Sequence, residues 1–530
     1  MLFAIFFLVI ALAHATLLRL PYFWDEGGYY IPAALDFYHR FTLIPEYTNA
    51  HPPLPNIVLG TLWHITGYRI LATRLMVCAF SAAALLAVFR MTQRLVSPDA
   101  AIAVTLLTAT YPIWFAQSTL AHADIFAAAF TLWAFALYLT ATQSTAAMDS
   151  PAKRTQLWMA ILFSLAALSK ETAIVEPAAL AAMHLVLLIR DRRSLSARRA
   201  NAAWLLTLSL PLLPLLAWYG YHHHRTGYTF GNPEYLRYNA TANLSAAHIF
   251  ISLYYRFLHL AWQRNIWVAI VFALACLFLQ RRPAKGAQPL PSETFHTIAV
   301  LVAANWLAFS VLGGALLTRY LLPIYPLILL VCVATWRART RRWPWLVALT
   351  GVSFVAALWY SPPTSYAPED SLTYRDMIVV HQEAIDYIAE HFPDSHVLTA
   401  WPAAAELSRP DLGYTQHSIK VTPIENFTAA EVLKAKQKPE LFDTALVITT
   451  RYTTPGLRSY LLHHPDSRRG HEFATERDLA PAEIASILGG QVVWQDNREG
   501  EWAAVIRFSR SYEACLQLPR LTTSAPQIGH

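Results

Sequence analysis

Eleven apolar stretches constrain this 530-residue chain more than any other feature. A helix of about 17–25 apolar residues crosses the hydrocarbon core of a bilayer. The stretches are residues 2–20, 70–89, 100–120, 125–143, 156–170, 172–189, 202–220, 264–280, 296–317, 320–336 and 344–360. The fifth, sixth and eighth are short for a span, but their order along the chain predicts a polytopic α-helical membrane protein with about eleven transmembrane helices.

Charged residues are scarce and unevenly distributed. They make up 14% of the chain, against about 25% in an ordinary soluble domain. Residues 1–360 carry a net charge of +14, whereas residues 361–530 carry −7. Because the basic half is also the apolar half, the positive charge does not indicate nucleic-acid binding. The composition also excludes a disordered, collagenous or disulfide-scaffolded chain.

The basic residues predict the orientation, because short cytoplasmic loops favour Lys and Arg. If the N-terminus lies inside, every second connection is basic. These connections hold Arg90 and Arg94; Lys153 and Arg154; Arg190, Arg192, Arg193, Arg198 and Arg199; Arg281, Arg282 and Lys285; and Arg337, Arg339, Arg341 and Arg342. The segment Ala13-His14-Ala15 resembles a cleavage site, but the missing charged n-region and the long apolar run favour a retained first helix.

Three segments are then predicted to lie outside. The loop of residues 21–68 is acidic, with Arg40 as its one basic residue, and the loop of residues 221–262 is rich in His and Tyr. Residues 361–530 are predicted to form a soluble extracytoplasmic α/β domain. Its predicted elements are a helix over 371–391 and strands at Val397–Ala400, Ala445–Thr449 and Ala503–Phe508.

An acidic pair opens the first outer loop, in the segment Trp24-Asp25-Glu26-Gly27-Gly28. Two adjacent carboxylates at a membrane surface can act as a base or bind a metal ion. Acidic residues are also common in the first turn of a helix, where they offset the helix dipole. The motif alone leaves both interpretations open.

Two further outer positions carry polar groups. His51 begins the rigid segment His51-Pro52-Pro53-Leu54, which either directs the imidazole or leaves it as a solvated interfacial group. Asp124 follows the short third-to-fourth connection and begins a long apolar run. A carboxylate at membrane depth costs about 2.5–3.5 kcal/mol on insertion scales, so it usually has a partner or a task. A helix N-cap is the alternative.

Two cations lie at the same face of the membrane. Lys170 separates the fifth and sixth stretches, and Arg319-Tyr320 lies between the ninth and tenth. Each cation either forms a local ion pair or snorkels, or it receives a phosphate group. Carboxylates and cations at one face are typical of a reaction between a hydroxyl and a lipid-borne phosphate, since ion transporters place charges near the midplane.

In their order and sidedness, these motifs resemble the GT-C superfamily of polyprenyl-phosphate-sugar-dependent glycosyltransferases. The resemblance covers about residues 1–340 and is nearest to the branch of protein O-mannosyltransferases and the lipid A aminoarabinose transferase. It rests on the Asp25-Glu26 pair, the Pro52-Pro53-Leu54 element, Asp124, the Lys170 segment and Arg319-Tyr320 with Pro323. The Pro-Pro element often begins with Lys in this branch, whereas here it begins with His51.

The resemblance implies a GT-C-like fold and an inverting sugar transfer from polyprenyl phosphate, with undecaprenyl phosphate expected in a bacterium. The acceptor would be a hydroxyl of a lipid, glycan or protein. Asp25 would be the catalytic residue. Glu26, Asp124 and Tyr320 would position donor or acceptor, and His51, Lys170 and Arg319 would bind the phosphate. The resemblance leaves open whether the site binds a divalent metal ion, for which Glu26, His51 and Asp124 would be the candidate ligands. The expected location is the bacterial inner membrane, with the site and the tail facing the periplasm.

Two alternatives belong to other classes. A flippase or transporter of polyprenyl-linked glycans would carry charges in the middle of helices, and Glu176, followed by Pro177 within the sixth stretch, is the exception that fits this pattern. A membrane anchor for a binding tail would make the acidic motif incidental.

Overall fold

The computed structural model describes most of the chain: residues 1–44, 51–142, 153–190, 195–231, 245–278, 282–312, 316–359, 367–450, 455–464, 467, 477–498 and 500–508. Contacts divide the chain into two units. The first comprises Met1–Ser361 and Tyr366–Tyr374, and the second comprises Pro362–Ser365 and Arg375–His530. Residues 366–374, which the sequence analysis placed in the soluble domain, thus belong to the membrane unit. The physical reason is that Glu369 and Asp370 accept hydrogen bonds from Arg319 and Thr318 of that unit.

The described part of the first unit is helical. Its α-helices are α1 Leu2–Ala13, α2 Ile31–Arg40, α3 Leu54–Thr66, α4 Ile70–Leu95, α5 Pro98–Thr110, α6 Pro112–Gln117, α7 Ala123–Ala141, α8 Lys153–Ser169, α9 Val175–Arg190, α10 Leu195–Ser209, α11 Leu212–Thr226, α12 Ala246–Ala261, α13 Ile266–Phe278, α14 Ser292–Leu312, α15 Tyr325–Arg339 and α16 Trp343–Ala356. A π-helix spans Glu26–Tyr30, and short 3-10 helices span Glu171–Ile174, Gln263–Asn265 and Thr318–Leu321.

Helix length and composition confirm a membrane protein. Six helical runs of the described residues are long and apolar enough to span a bilayer: Ile70–Leu95, Ala123–Ala141, Glu171–Arg190, Leu195–Thr226, Ala246–Phe278 and Ser292–Leu312. Three shorter apolar helices accompany them: Leu2–Ala13, Pro98–Thr110 and Trp343–Ala356. Each of the eleven predicted stretches contains helix, while eleven complete crossings remain a prediction.

Proline divides one predicted span. The stretch 100–120 is two helices that meet at Tyr111, whose backbone is extended (φ −63°, ψ 124°). Pro112 explains the break, because its ring disfavours helical backbone at the preceding residue and it has no N–H to donate.

The residues of the second outer loop that the structure describes, 221–231 and 245–262, are mostly helical, whereas the sequence analysis treated them as loop. His222–His224 lie in the last turns of α11, and α12 occupies Ala246–Ala261. Arg264 and Asn265 adopt positive φ angles of 48° and 65°, so α12 ends before α13 begins. The amphipathic pattern of α12, with a polar face next to large exposed apolar residues such as Phe250 and Tyr254, explains why hydropathy alone missed it.

The second unit contains the five-stranded sheet that the α/β prediction requires. Its strands are β1 His396–Ala400, β2 Lys420–Ile424, β3 Thr444–Ile448, β4 Gly490–Arg498 and β5 Glu501–Phe508, in the order β2-β1-β3-β5-β4. β1 pairs in parallel with β2 and β3, whereas β5 pairs antiparallel with β3 and β4. The remaining helices are α17 Thr373–His391, α18 Ala403–Ser408, α19 Ala429–Lys436, α20 Pro455–His463 and α21 Pro481–Leu488.

The predicted helix and the three predicted strands of this unit are confirmed, and two strands were missed. The strands that were found are almost fully buried and therefore read as apolar runs. The missed strands β2 and β4 are the two edges of the sheet. β2 contains Pro423, which sequence patterns associate with loops, and β4 alternates between half-buried and exposed positions.

Candidate active site

Arg319 lies at the centre of a buried cluster of charges in the first unit. Its side chain is 4% exposed and donates hydrogen bonds to the carboxylates of Asp25 and Glu369. Its Nε lies 3.4 Å from Oδ2 of Asp124. The 3-10 helix Thr318–Leu321 places the guanidinium there, just before the apolar residues that lead into α15. One arginine therefore joins carboxylates from three distant segments of the chain.

Lys170 supplies the second cation of this cluster. Its Nζ lies 2.5 Å from Oδ1 of Asp124 and 3.8 Å from the centre of the Tyr320 ring. The residue adopts an extended backbone between α8 and the 3-10 helix Glu171–Ile174, and its side chain reaches Asp124 of α7. Asp124, in the first turn of α7, thus holds both cations, and Tyr320 covers one of them. We refer to Asp25, Asp124, Lys170, Arg319 and Glu369 as the charge cluster.

Asp25 is the most accessible carboxylate of the charge cluster. Its side chain is 20% exposed, compared with 2% for Asp124 and 7% for Glu369. It immediately precedes the π-helix Glu26–Tyr30, and Trp24 before it has a positive φ of 39°. This tight turn directs consecutive side chains in different directions, so that Asp25 reaches Arg319 while Glu26 does not. Of the three carboxylates, Asp25 is thus the one most exposed to solvent.

Glu26 lies in a separate, fully buried network. Its carboxylate is 2.5 Å from Nη1 of Arg74 and accepts hydrogen bonds from the backbone N–H groups of Phe23 (2.8 Å) and Ala121 (2.6 Å). Arg74 also donates to the carbonyls of Pro21 and Thr119, each at 2.7 Å. These contacts tie the first outer loop to α4 and to the connection before α7. Glu26 therefore holds the scaffold, and its predicted role in positioning substrate has no support in the contacts it makes.

His51 lies beside the charge cluster rather than in it. Its Nδ1 is 2.9 Å from a carboxylate oxygen of Glu171, the neighbour of Lys170 in sequence. The imidazole stacks on the ring of Tyr30, with 5.7 Å between centroids and 9° between planes. Of the two alternatives that the sequence left open for His51, the structure shows the directed imidazole, and its partner is a carboxylate.

Glu369 is the site residue that sequence reasoning missed. It follows the last predicted span and was assigned to the soluble domain, although the pair Glu369-Asp370 repeats after the last apolar stretch the acidic pattern that Asp25-Glu26 forms after the first. Burial raises the pKa of the Glu369 carboxyl to about 7, and Arg319 offsets part of that effect while Asp370 and Asp25 add to it. Asp370 accepts hydrogen bonds from Thr318 and, at 3.1 Å, from Gln263.

A partly open cavity adjoins the charge cluster, and its empty space of about 270 Å³ includes open solvent. Asp124, Lys170, Arg319 and Tyr320 form part of its wall. The rest of the wall comes from α7, α14, the segment around α9 and the residues just before α15: Ala127, Ala128, Thr131, Thr172, Ala173, Glu176, Phe309 and Pro323. Ionic groups thus occupy one part of the cavity and mainly apolar groups the rest, a composition typical of a site for an amphipathic ligand.

The sequence model of the Alg9-like mannosyltransferase family matches residues 3–408, which is more than half of the chain. The chain belongs to the Alg9-like mannosyltransferase family. It is accordingly a glycosyltransferase of the GT-C superfamily, as the resemblance implied, and its class is that of an enzyme rather than the alternative flippase. A search of curated proteins gave no significant match.

Solved structures show the same fold as this Alg9-like family member. The apo form of ArnT from Cupriavidus metallidurans superposes with a TM-score of 0.54 and 13% identity, covering 98% of this chain and 99% of that one. ArnT from the same organism bound to undecaprenyl phosphate gives 0.54 and 14%, covering 96% and 98%. At such identities the likeness establishes the GT-C fold, including a C-terminal sheet domain, and no more.

The candidate metal ligands of this glycosyltransferase do not converge. Glu26 pairs with Arg74, His51 with Glu171, and Asp124 with Lys170. Across the residues that the structure describes, no group of three or more His, Cys, Asp or Glu side chains is arranged to hold a metal ion. The three predicted ligands therefore do not form a common donor set.

Proposed function

We propose that the chain transfers a sugar from a polyprenyl phosphate to an acceptor hydroxyl at the outer face of the membrane, with inversion at the anomeric carbon. The observation that carries this proposal is the charge cluster. In it, the accessible carboxylate of Asp25 pairs with the guanidinium of Arg319, which also lines a cavity inside the helical unit. A membrane glycosyltransferase needs a base beside a cation that can receive phosphate, and this cluster supplies both.

The cations suit the phosphate of a lipid-linked donor. Arg319 offers a planar fork of N–H groups and Lys170 a compact positive charge, and both are shielded from water, which strengthens their attraction for an anion. Asp124 positions the two groups, and Tyr320 lies against Lys170. His51 with Glu171 orients the segment that presents Lys170. The ArnT structure with undecaprenyl phosphate supports a lipid of this type as the donor carrier.

The shared contact between Asp25 and Arg319 couples binding to chemistry. A phosphate at Arg319 competes with Asp25 for the same N–H groups, so donor binding frees a carboxylate lone pair. Asp25 then accepts the proton of the acceptor hydroxyl as its oxygen bonds to the anomeric carbon. The bond from that carbon to the phosphate oxygen breaks, and the polyprenyl phosphate leaves with its charge stabilised by Arg319 and Lys170. A single displacement of this kind inverts the anomeric configuration.

The direct test is sugar transfer by the purified protein in liposomes that contain undecaprenyl phosphate carrying mannose, glucose or arabinose. We expect release of undecaprenyl phosphate to depend on an added hydroxyl acceptor of lipid, glycan or protein type. The product should have the inverted anomeric configuration by NMR. A product with retained configuration, or transfer from nucleotide sugars but from none of the lipid donors, would contradict the proposal.

We further propose that the protein resides in a bacterial inner membrane with its active site and C-terminal unit facing the periplasm. The alternation of basic connections supports this orientation. In a chain without native cysteines, single cysteines introduced at positions 196 and 430 should react with a membrane-impermeant maleimide from opposite sides of the membrane. Position 430 should react in intact spheroplasts and position 196 only after lysis. Reaction of both in intact spheroplasts would contradict the orientation.

Glu369 should make donor binding sensitive to pH. Below about pH 7 its carboxyl is neutral, and the charge cluster balances two carboxylates with two cations. Above that pH a third carboxylate is ionised and repels the incoming phosphate. We expect the affinity for the donor, a phosphodiester that does not itself titrate here, to fall about fivefold from pH 6 to pH 8, if binding raises the pKa by one further unit.

The matched variant is Glu369→Gln, which keeps the shape of the neutral acid. Its donor affinity, measured in nanodiscs by microscale thermophoresis, should stay high and nearly constant across the same range. If the donor affinity of the wild type does not change with pH, or if that of Glu369→Gln falls as steeply as that of the wild type, Glu369 does not control donor binding.

A further inference from the structure

Glu176 is a membrane-embedded acid that the proposed transfer step does not use. It lies in the first turn of α9, within the apolar run Glu171–Arg190, and its side chain is almost fully buried. It lines the same cavity as the charge cluster. Its Oε2 has no hydrogen-bond partner. Asn305 of α14 lies beside this carboxyl group, and its own Oδ1 is likewise without a partner.

Thr131 faces the cavity from α7 and has the same property. Buried hydroxyls in helices commonly donate to the carbonyl four residues earlier, as Ser169 does to Leu165 and Thr108 to Val104, each at 2.8 Å. The Thr131 hydroxyl makes no such bond. Among the described residues, three other buried threonines, Thr92, Thr105 and Thr350, also have hydroxyls without a partner, but Thr131 is the one of the four that lines the cavity.

Both groups follow a residue of the charge cluster by a similar number of residues. Thr131 follows Asp124 by seven residues of α7, a distance of about 10 Å at 1.5 Å per residue. Glu176 follows Lys170 by six residues. The cavity therefore has ionic groups in one part of its wall, and a carboxyl oxygen and a hydroxyl without partners in another.

Polar groups without partners destabilise a fold, and they do so most in an environment that excludes water. A prenyl chain in the cavity would leave both groups unpaired. A monosaccharide would pair them, since each sugar hydroxyl both donates and accepts a hydrogen bond, as a threonine hydroxyl does, and a carboxyl oxygen accepts one. The hydroxyl groups of a sugar are also neutral, so binding them adds no further charge next to a cluster of five ionisable groups.

We propose that Glu176 and Thr131 form the subsite that binds hydroxyl groups of the donor monosaccharide and thereby selects the sugar. This assignment rests on the proposed function, because it places the sugar of the polyprenyl-phosphate donor next to the cations that hold its phosphate. Selection follows because a sugar that lacks a hydroxyl at the matching position leaves both groups unpaired.

The test compares two lipids in nanodiscs: undecaprenyl phosphate, and undecaprenyl phosphate carrying mannose, glucose or arabinose. Thr131→Val and Glu176→Met should bind the sugar-bearing lipid that the wild type prefers about tenfold more weakly, the effect of one lost hydrogen bond. Both should bind undecaprenyl phosphate as tightly as the wild type does. Thr105→Val is the matched control, because this hydroxyl is also buried and without a partner but does not line the cavity.

Thermal unfolding separates this role from a structural one. Removing an unpaired buried hydroxyl should leave the melting temperature of Thr131→Val unchanged or raise it, whereas loss of a structural contact would lower it. Equal weakening of both lipids, or wild-type binding of the sugar-bearing lipids by both variants, would overturn the subsite while leaving the proposed transferase intact. A wild-type protein that binds none of these lipids would overturn the proposed donor and the subsite together.

Discussion

Replacing Asp25 with asparagine is expected to slow sugar transfer by about 100-fold or more while leaving the protein folded and able to bind donor. Asparagine preserves the shape and one acceptor for Arg319 but removes the charge and the basic lone pair that activates the acceptor hydroxyl. Above about pH 7, where Glu369 is ionised, three carboxylates face two cations, so the loss of one negative charge balances the charge cluster. Initial rates in liposomes, at matched protein amounts, measure the effect.

The neighbouring acid provides the comparison. Glu26→Gln should act mainly on stability, since breaking a buried ion pair costs about 3–5 kcal/mol and Arg74 would lose its carboxylate. Its melting temperature should fall, and the protein that remains folded should transfer sugar at a rate far above that of Asp25→Asn. Near-normal transfer by Asp25→Asn would instead remove the base assignment and make Asp124 the next candidate.

Replacing Arg319 with alanine is expected to have the largest combined effect on binding and stability. The change leaves Asp25, Asp124 and Glu369 with Lys170 as the one remaining cation of the cluster, so the melting temperature should fall sharply. Donor affinity should drop by about 10–100-fold, because the phosphate loses a charge-assisted partner. Binding in nanodiscs and thermal unfolding report the two effects separately.

Arg319→Lys distinguishes charge from geometry. Lysine keeps the positive charge but lacks the fork that contacts three carboxylates at once, so stability should recover in part while transfer stays low. Lys170→Ala should weaken donor binding in the same direction, and with less loss of stability because Arg319 still faces Asp124. Unchanged donor affinity in both Arg319→Ala and Lys170→Ala would show that these residues stabilise the fold but do not bind the donor phosphate.

Patterns along the chain identified much of the site before any contact was known. Asp25, Asp124, Lys170, Arg319 and Tyr320 each lie where an apolar stretch begins or ends, and alternation of the connections assigned them to one membrane face. The structure brings all five together. This worked because a charged group at the end of a transmembrane helix is costly unless it is paired or used, which makes such residues conspicuous in an apolar sequence.

Adjacent residues were harder to separate. Asp25 and Glu26 look equivalent in the sequence, yet one reaches Arg319 and the other Arg74. The turn at Trp24 and the π-helix after it determine which arginine each carboxylate contacts. No periodic pattern in the sequence predicts either the turn or the π-helix. In the same way, the Pro52-Pro53 element left open whether His51 is directed or solvated, and it could not identify Glu171 as its partner.

Apolar runs of helix length were enough to predict a polytopic membrane protein with an α/β tail, because such runs in a bilayer have few alternatives to spanning it. The alternation of basic connections predicted that Asp25, Asp124, Lys170 and Arg319 share one membrane face. The fold pairs each carboxylate with its cation, adds Glu369 to the charge cluster, and places Glu176 and Thr131 in a cavity beside it. Those pairings join segments up to 294 residues apart. They depend on how helices pack side by side, and hydrophobic periodicity reports only which residues face away from water.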